Sequence, residues 1–148
     1  MHLQGQGDTV EARILEGNPG KVVIEEIIGD GGRLKKDPEE NCCGIAALET
    51  LAMLPGGPPS CGVSLRLHKG LPLGSGMGSS ASSAAAACWA VNNLFGNVLS
   101  KEQLVLAGLK SEAMVSGYHA DNIAPALMGG FVLIRCAAVI SAFVPPMI

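Results

Sequence analysis

The chain has 148 residues, of which 48% are hydrophobic and 16% are charged. These proportions indicate a folded domain with one hydrophobic core and exclude extended disorder. The formal net charge is −3 and 3% of the residues are aromatic, so a basic field and base-stacking surfaces for nucleic acid are both lacking. No apolar run reaches the roughly 20 residues that a membrane span needs. We therefore expect neither nucleic acid nor a membrane as a partner.

The five cysteines show no C-x-x-C pair and no histidine at metal-ligand spacing, so a zinc site is not expected. We interpret them as small buried hydrophobic residues in a reducing compartment. Residues 1–7 carry the pattern of neither a signal peptide nor a transit peptide. These residues alone therefore indicate no compartment.

Alternating apolar and polar residues predict several strands. Residues 8–15 alternate, residues 16–20 (EGNPG) form a turn, and residues 21–28 follow as a second strand. The first two strands are therefore expected to form a hairpin or a strand pair. Residues 62–68 predict a third strand with its apolar residues on one face, and residues 131–135 predict a further strand.

Helix signals occur between these strands. Asp37 is expected to cap a helix with Pro38 at its first position that continues to about Leu54. Residues 81–95 are dominated by alanine and predict a second helix. The order around residue 75 is therefore strand, glycine-rich loop, helix.

Two more helices are predicted towards the end of the chain. Ser100 and Gln103 form the pattern of a capping box, so a helix is expected over residues 100–116. Residues 118–130 begin with polar residues and continue as a brief helix, whose capping residue we expect to be Asp121.

The glycine-rich loop at residues 70–80 has a composition suited to binding phosphate. Gly74, Gly76 and Gly78 have no Cβ, so backbone N–H groups there can approach a triphosphate closely. The helix that follows presents unpaired amides and the positive end of its dipole to the same charge. The pattern predicts an anion-binding loop.

Two serines stand where that helix is expected to begin. Of Ser79 and Ser80, one hydroxyl can bind a phosphate oxygen and the other can ligate a magnesium ion. The loop lacks the G-K-[ST] ending of a Walker A motif. Glycine triplets also occur in flexible linkers and in closely packed small-residue helices, so the triplet alone leaves these alternatives open.

A longer motif favours the phosphate loop. Residues 72–81, PLGSGMGSSA, resemble the phosphate loop of the GHMP kinases, the family named for galacto-, homoserine, mevalonate and phosphomevalonate kinases. Residues 111–113 (SEA), 116–126 (SGYHADNIAPA) and 129–131 (GGF) resemble the homoserine kinases of that family, and their plant form most. The resemblance covers about residues 7–135.

The resemblance implies an α+β fold, in which a mixed sheet is packed with helices as the N-terminal lobe of a GHMP kinase. We expect this ATP-binding domain at residues 8–135 and a divergent apolar tail at residues 136–148. Members of the family are roughly twice as long. An opening segment and a second lobe with substrate-binding arginines are therefore expected outside this sequence, as in a truncated gene model, a splice variant or a partial clone. Activity of these residues alone is left open.

The resemblance also assigns the ATP and magnesium sites. Ser80 and Glu112 correspond to the family's magnesium ligands, although an arbitrary glutamate near a helix end is most often a solvated surface charge. Asn41 corresponds to an asparagine near the adenine, although its composition alone suggests an ordinary helix residue. The residues expected to bind ATP are Pro72, Gly74, Ser75, Gly76, Gly78, Ser79, Ser80 and Asn41.

His119 and Asn122 are assigned by the resemblance to substrate binding and catalysis. An isolated histidine would otherwise be read as an ordinary half-buried residue. Mevalonate kinases usually have an aspartate base where Asn122 stands, and an asparagine cannot take the proton. The resemblance therefore implies a reaction driven by positioning and charge, with ADP and O-phospho-L-homoserine as products and threonine biosynthesis as the pathway.

Three functions are compatible with this sequence. The first is an ATP- and Mg²⁺-dependent homoserine kinase with L-homoserine as its small-molecule partner. The second is another GHMP kinase, such as a mevalonate-like one, and the third is a non-catalytic fragment that binds nucleotide. A homodimer is an open alternative to a monomer, and the plant-type resemblance implies a plastid rather than a cytoplasmic enzyme.

Overall fold

The computed structural model describes residues 7–114, 117–136 and 139–143. These residues form five strands and four helices, which confirms the predicted α+β class. The strands are β1 (Thr9–Leu15), β2 (Val22–Ile28), β3 (Gly62–His68), β4 (Phe131–Cys136) and β5 (Val139–Phe143). The helices are α1 (Cys42–Ala52), α2 (Ser79–Leu94), α3 (Lys101–Ala113) and α4 (Ile123–Met128), and a 3₁₀ turn (Pro38–Glu40) precedes α1.

The predicted pairing of β1 with β2 is wrong, because β3 lies between them in the order β1-β3-β2. β1 is antiparallel to β3, and β2 is parallel to it. The first four residues of β3 are all buried, as is typical of a strand that is covered on both faces. The amide of Gly20, in the turn after β1, donates to the carbonyls of Pro59 (3.2 Å) and Cys61 (3.0 Å). The turn at residues 16–20 is therefore hydrogen-bonded to the segment that leads into β3.

The core lies between this sheet and the helices. Val63, Leu65 and Leu67 of β3 have no exposed surface. The buried faces of α1 and α2 consist largely of alanine and cysteine, and small residues let two helices approach closely. Burial raises the pKa of the Cys43 and Cys88 thiols to about 12. The interpretation as buried hydrophobic residues is confirmed for these two, whereas Cys42 and Cys61 are half-buried.

The start of the first long helix differs from its prediction. Asp37 caps only the 3₁₀ turn, where its carboxylate accepts a hydrogen bond from the Glu39 amide at 3.0 Å. Asn41 then has an extended backbone (φ −131°, ψ 128°) and caps α1. The two capping residues lie four positions apart, so the chain makes one short turn and restarts instead of forming a continuous helix from Pro38.

The later helices follow their predictions more closely. The capping box of Ser100 and Gln103 at the start of α3 is confirmed. The capping role expected for Asp121 is wrong, because Asn122 holds the N-cap position of α4, where its side chain makes no capping hydrogen bond to the described residues. Residues 115–116 of the predicted third helix lie outside the described residues.

The last described strand was not predicted from the sequence. β5 pairs with β4 in an antiparallel two-stranded sheet. The predicted apolar tail at residues 136–148 lies partly outside the described residues and stays a prediction. Within the described ranges, no helix is long and apolar enough to cross a bilayer.

Two helical glycines allow a test of this packing. A Cβ atom at Gly44 would lie 2.4 Å from the Cα and O atoms of Pro38, whereas one at Gly108 would lie 2.6 Å from Cγ1 of Ile123. Gly44→Ala should lower the free energy of unfolding by about 3 kcal/mol, because backbone must move. Gly108→Ala should cost about 1 kcal/mol, because a side chain can adjust.

Urea unfolding of the two variants and the wild type would measure these costs. Both substitutions bring the same gain in helix propensity, so the difference between the variants reports packing alone. Equal costs would contradict the close approach of the 3₁₀ turn to α1.

Candidate phosphate-binding site

The glycine-rich loop joins the end of β3 to the start of α2. Gly74, Gly76 and Gly78 all have left-handed backbones, with φ values of +72°, +72° and +69°. Residues with a Cβ pay about 1 to 2 kcal/mol for this conformation. The three glycines therefore set the path of the loop. Among the described residues, no heavy atom outside their own chain neighbours lies within 4 Å of a Cβ position at Gly74 or Gly76, so the loop faces open space within this part of the structure.

The first turn of α2 has unoccupied amides. Gly78 is the N-cap residue and makes no side-chain capping bond. The first backbone hydrogen bond of the helix runs from the Ser82 amide to the Gly78 carbonyl at 2.9 Å. The amides of residues 79–81 therefore precede the helical hydrogen bonds, at the positive end of a 16-residue helix. This is the geometry that binds anions.

The two serines of this turn have different surroundings. Ser79 is buried, and its hydroxyl donates to the Leu71 carbonyl at 3.2 Å, which closes the base of the loop. Ser80 is half-buried at the same helix end. Ser75 is exposed, and its hydroxyl donates to the Pro72 carbonyl at 2.8 Å, which forms a tight turn within the loop. Ser75 and Ser79 thus belong to the loop, and their hydroxyl groups also fix its conformation.

Asn122 lies against the end of the loop. A Cβ atom at Gly78 would come within 3.1 Å of Asn122 Oδ1. The fold therefore brings together two predicted site residues that are 44 positions apart. His119 is exposed on the preceding turn, where its amide donates to the Gly117 carbonyl at 2.8 Å. No described contact joins His119 to the loop.

Glu112 is 2% exposed, so the alternative of a solvated surface charge does not apply to it, and its role as a magnesium ligand stays a prediction. The neighbouring Ser111 donates its hydroxyl to the Cys42 carbonyl at 2.8 Å, which fixes this end of α3 against the start of α1. The pKa of the Cys42 thiol is raised, mainly by burial and also by the nearby Glu112 carboxylate. Glu112 is therefore a buried acid among the helix ends.

The side chain of Asn41 has a structural role at the start of α1. Its Oδ1 accepts from the Cys43 amide at 2.9 Å, and its Nδ2 donates to the Lys35 carbonyl at 2.8 Å. Both ends of the side-chain amide are thus engaged in the protein. Its predicted contact with adenine stays a prediction.

Ser80 and Glu112 fit a magnesium ion by their chemistry. They offer a hydroxyl and a carboxylate oxygen, which are hard donors of the kind that Mg²⁺ prefers. The part of the chain that the structure describes contains no group of three His, Cys, Asp or Glu residues able to hold a metal. An ion at this site would therefore need ligands from a bound phosphate and from water.

Sequence reasoning missed a buried ion pair below the loop. Lys69 pairs with Asp8, and their side chains are 1% and 0% exposed. Ser83 of α2 joins them, since its hydroxyl donates to Asp8 Oδ2 at 2.6 Å. We call these three residues the Asp8–Lys69–Ser83 network. A correct pairing of β1 with β3 would have revealed it, because the register Thr9 opposite His68 continues to Asp8 beside Lys69.

Comparison with known proteins agrees with this geometry. The GHMP kinases N terminal domain family matches residues 42–130. The chain belongs to the GHMP kinase family. It is 61% identical over 134 residues to a homoserine kinase of Arabidopsis thaliana, covering 90% of this chain and 36% of that protein. It is 47% identical over 139 residues to a homoserine kinase of Chloroherpeton thalassium, covering 90% of this chain and 44% of that protein.

Solved structures show the same fold. A homoserine kinase from Cytophaga hutchinsonii has a TM-score of 0.83 and 39% identity, covering 94% of this chain and 44% of that one. The mevalonate kinase of Methanococcus jannaschii has a TM-score of 0.69 and 18% identity, covering 92% of this chain and 45% of that one, and so shows a likeness of fold alone. The chain spans less than half the length of these relatives, as expected for an N-terminal lobe.

The contact between Gly78 and Asn122 can be tested with a matched pair of substitutions. Gly78→Ala and Gly76→Ala should each cost about 1 kcal/mol of unfolding free energy, because both residues have φ near +70°. Only Gly78→Ala should also displace the side chain of Asn122, whose NH₂ signal in an NMR ¹H–¹⁵N spectrum should shift. A shift of equal size in Gly76→Ala would contradict the contact.

Proposed function

We propose that this chain is the nucleotide-binding lobe of a homoserine kinase, which transfers the terminal phosphoryl group of ATP to the hydroxyl of L-homoserine. The products are ADP and O-phospho-L-homoserine, and the pathway is threonine biosynthesis. One structural observation carries the ATP-binding part, namely the uncapped N-terminus of α2 directly after three left-handed glycines. The choice of homoserine rests on the identity to homoserine kinases of a plant and a bacterium.

The triphosphate is bound by backbone groups in this proposal. The loop amides and the first amides of α2 point at the phosphate oxygens, and the helix dipole adds favourable potential. Ser80 and Glu112 hold the magnesium ion that accompanies ATP. Magnesium, when bound, neutralises charge on the phosphates. Pro72, Ser75 and Ser79 keep the loop in shape, and Asn41 lies near the adenine.

The acceptor hydroxyl is positioned on the other side of the loop. Asn122 lies against Gly78, so its amide can hold the hydroxyl in line with the terminal phosphorus. An asparagine cannot accept the hydroxyl proton, which passes to solvent. His119, three residues earlier, contacts the amino-acid part of homoserine.

The length of the chain favours a second candidate function. It covers 36% to 44% of three homoserine kinase relatives, so residues from another lobe can be required for turnover. The chain alone would then bind nucleotide without catalysis. Other GHMP kinase substrates and a homodimeric assembly are alternatives to be tested. A plastid location follows from the plant-type resemblance and can be tested by imaging the tagged full-length gene product.

Magnesium-dependent binding of ATP is the first test. Ser80→Ala and Glu112→Gln should each raise the dissociation constant of Mg-ATP about tenfold, because the first removes an oxygen ligand and the second removes the negative charge that strengthens the contact with the ion. Isothermal titration calorimetry would measure binding, after circular dichroism has shown that each variant is folded.

Matched controls are Ser60→Ala, at an exposed loop position, and Glu102→Gln, at an exposed position of α3. Neither control should change Mg-ATP affinity. In EDTA, the two site variants should bind ATP as the wild type does. A folded wild-type chain that binds no Mg-ATP would refute the proposal for this lobe.

Turnover with different alcohols is the second test. We expect ADP release to be faster with L-homoserine than with mevalonate or galactose, and Asn122→Ala to slow it by about 10²-fold through loss of positioning. A coupled ADP assay would measure it. Faster turnover of another alcohol would identify a different GHMP kinase. Binding of Mg-ATP without turnover of any alcohol would identify a nucleotide-binding fragment.

A further inference from the structure

All three N–H donors of the Lys69 ammonium group are used in contacts within the protein. Its Nζ atom pairs with Asp8, donates to the Ser79 carbonyl at 2.9 Å and donates to the Ser83 hydroxyl at 2.8 Å. An ammonium group has three protons, and these three oxygens take them all. Its side chain is 1% exposed. Lys69 therefore faces the protein, although it directly precedes the phosphate loop.

Asp8 holds both ends of the loop. Its Oδ1 accepts from the amides of Gly70 (2.9 Å) and Leu71 (3.1 Å), where the loop leaves β3. Its Oδ2 accepts from Lys69 and from the Ser83 hydroxyl, one turn into α2. One carboxylate thus links the residues before the loop to the helix after it. The two ends cannot separate without exposing a buried charge.

The network also positions α2 relative to the sheet. The Asp8 amide donates to the Ser82 hydroxyl at 3.1 Å. Lys69 also donates a hydrogen bond to the Ser79 carbonyl, and this bond orients the first turn of the helix. The amides that the proposed function assigns to phosphate lie on this same turn.

We propose that Lys69, Asp8 and Ser83 are positioning residues, which hold the phosphate loop in its nucleotide-binding form without touching the nucleotide. This inference rests on the proposed binding of Mg-ATP. The positive charge of Lys69 is neutralised by Asp8, so the loop attracts phosphate through its amides and the helix end. Loss of the network should loosen residues 70–80 and weaken nucleotide binding.

The test must separate loop positioning from general stability. Lys69→Met or Asp8→Asn alone leaves an unpaired charge or a broken pair in the interior and can prevent folding. Two milder changes avoid this outcome. Ser83→Ala removes only the bridging hydroxyl, and the double variant Asp8→Asn/Lys69→Met removes both charges together. Ser64→Ala, which deletes a buried hydroxyl of β3, is the matched control.

Two readouts are needed. In Ser83→Ala the dissociation constant of Mg-ATP should rise about tenfold, as expected for the loss of a hydrogen bond to a charged group. Amide hydrogen exchange of residues 70–80 should accelerate, while that of α3 stays as in the wild type. The double variant should show both effects more strongly. Ser64→Ala should show neither, even where its melting temperature falls as far as that of Ser83→Ala.

The outcomes distinguish this inference from the proposed function. Unchanged loop exchange in both network variants would overturn the inference, whatever the affinity. Accelerated loop exchange with wild-type affinity for Mg-ATP would also overturn it, because the loop would then bind nucleotide without the network. A wild-type chain that binds no Mg-ATP would refute the proposed function. Faster loop exchange in the network variants would then show only that the network positions the loop.

Discussion

The position of β3 between β1 and β2 is the constraint on which the glycine-rich loop depends. With both edges paired, β3 ends at His68 in a fixed place, and the loop starts from there. The antiparallel register with β1 brings Asp8 beside Lys69 at this end. The chain then returns along α2, whose alanine-rich face packs into the core. The positions of the two ends of the loop thus follow from the strand order, and the glycines set the path between them.

The buried charges below the loop contribute geometry more than stability. Moving two charges out of water is costly, and a buried ion pair often stabilises a fold no better than apolar residues of similar size. Here the carboxylate accepts from four donors, one ammonium, one hydroxyl and two amides. Apolar side chains could fill the same space, but they could not hold the start of the loop and the start of α2 at fixed distances.

Local signals in the sequence predicted the elements well and their partners poorly. The strands β1 and β3 and the capping box of α3 were predicted from residues within a few positions of each other, and these elements are confirmed. Strand pairing depends on contacts between residues far apart in the chain, so adjacency in sequence predicted the wrong neighbour for β1. Asp37 and Asn41 both have capping side chains near one helix start. Asn41, the later of the two, caps the α-helix.

The same limit applies to the candidate site. The glycine loop was found because its signal is continuous over ten residues, and its left-handed glycines agree with that signal. Asp8 and Lys69 were missed because they are 61 positions apart and meet only through the β1–β3 register. Burial of Glu112 could not be predicted from α3 alone, since it depends on how the end of that helix packs against α1.

The nucleotide side and the acceptor side of the proposed site are formed by different kinds of chemical groups. The proposed nucleotide side consists mainly of backbone amides and of glycines whose φ values set the path of the loop, so many sequences can form it. The proposed acceptor side depends on side chains carried by the turn before α4, among them Asn122 against Gly78. Under the proposed function, selection between alcohols would depend on this short turn, because the proposed role of the loop that it faces is to bind the triphosphate whichever alcohol is phosphorylated.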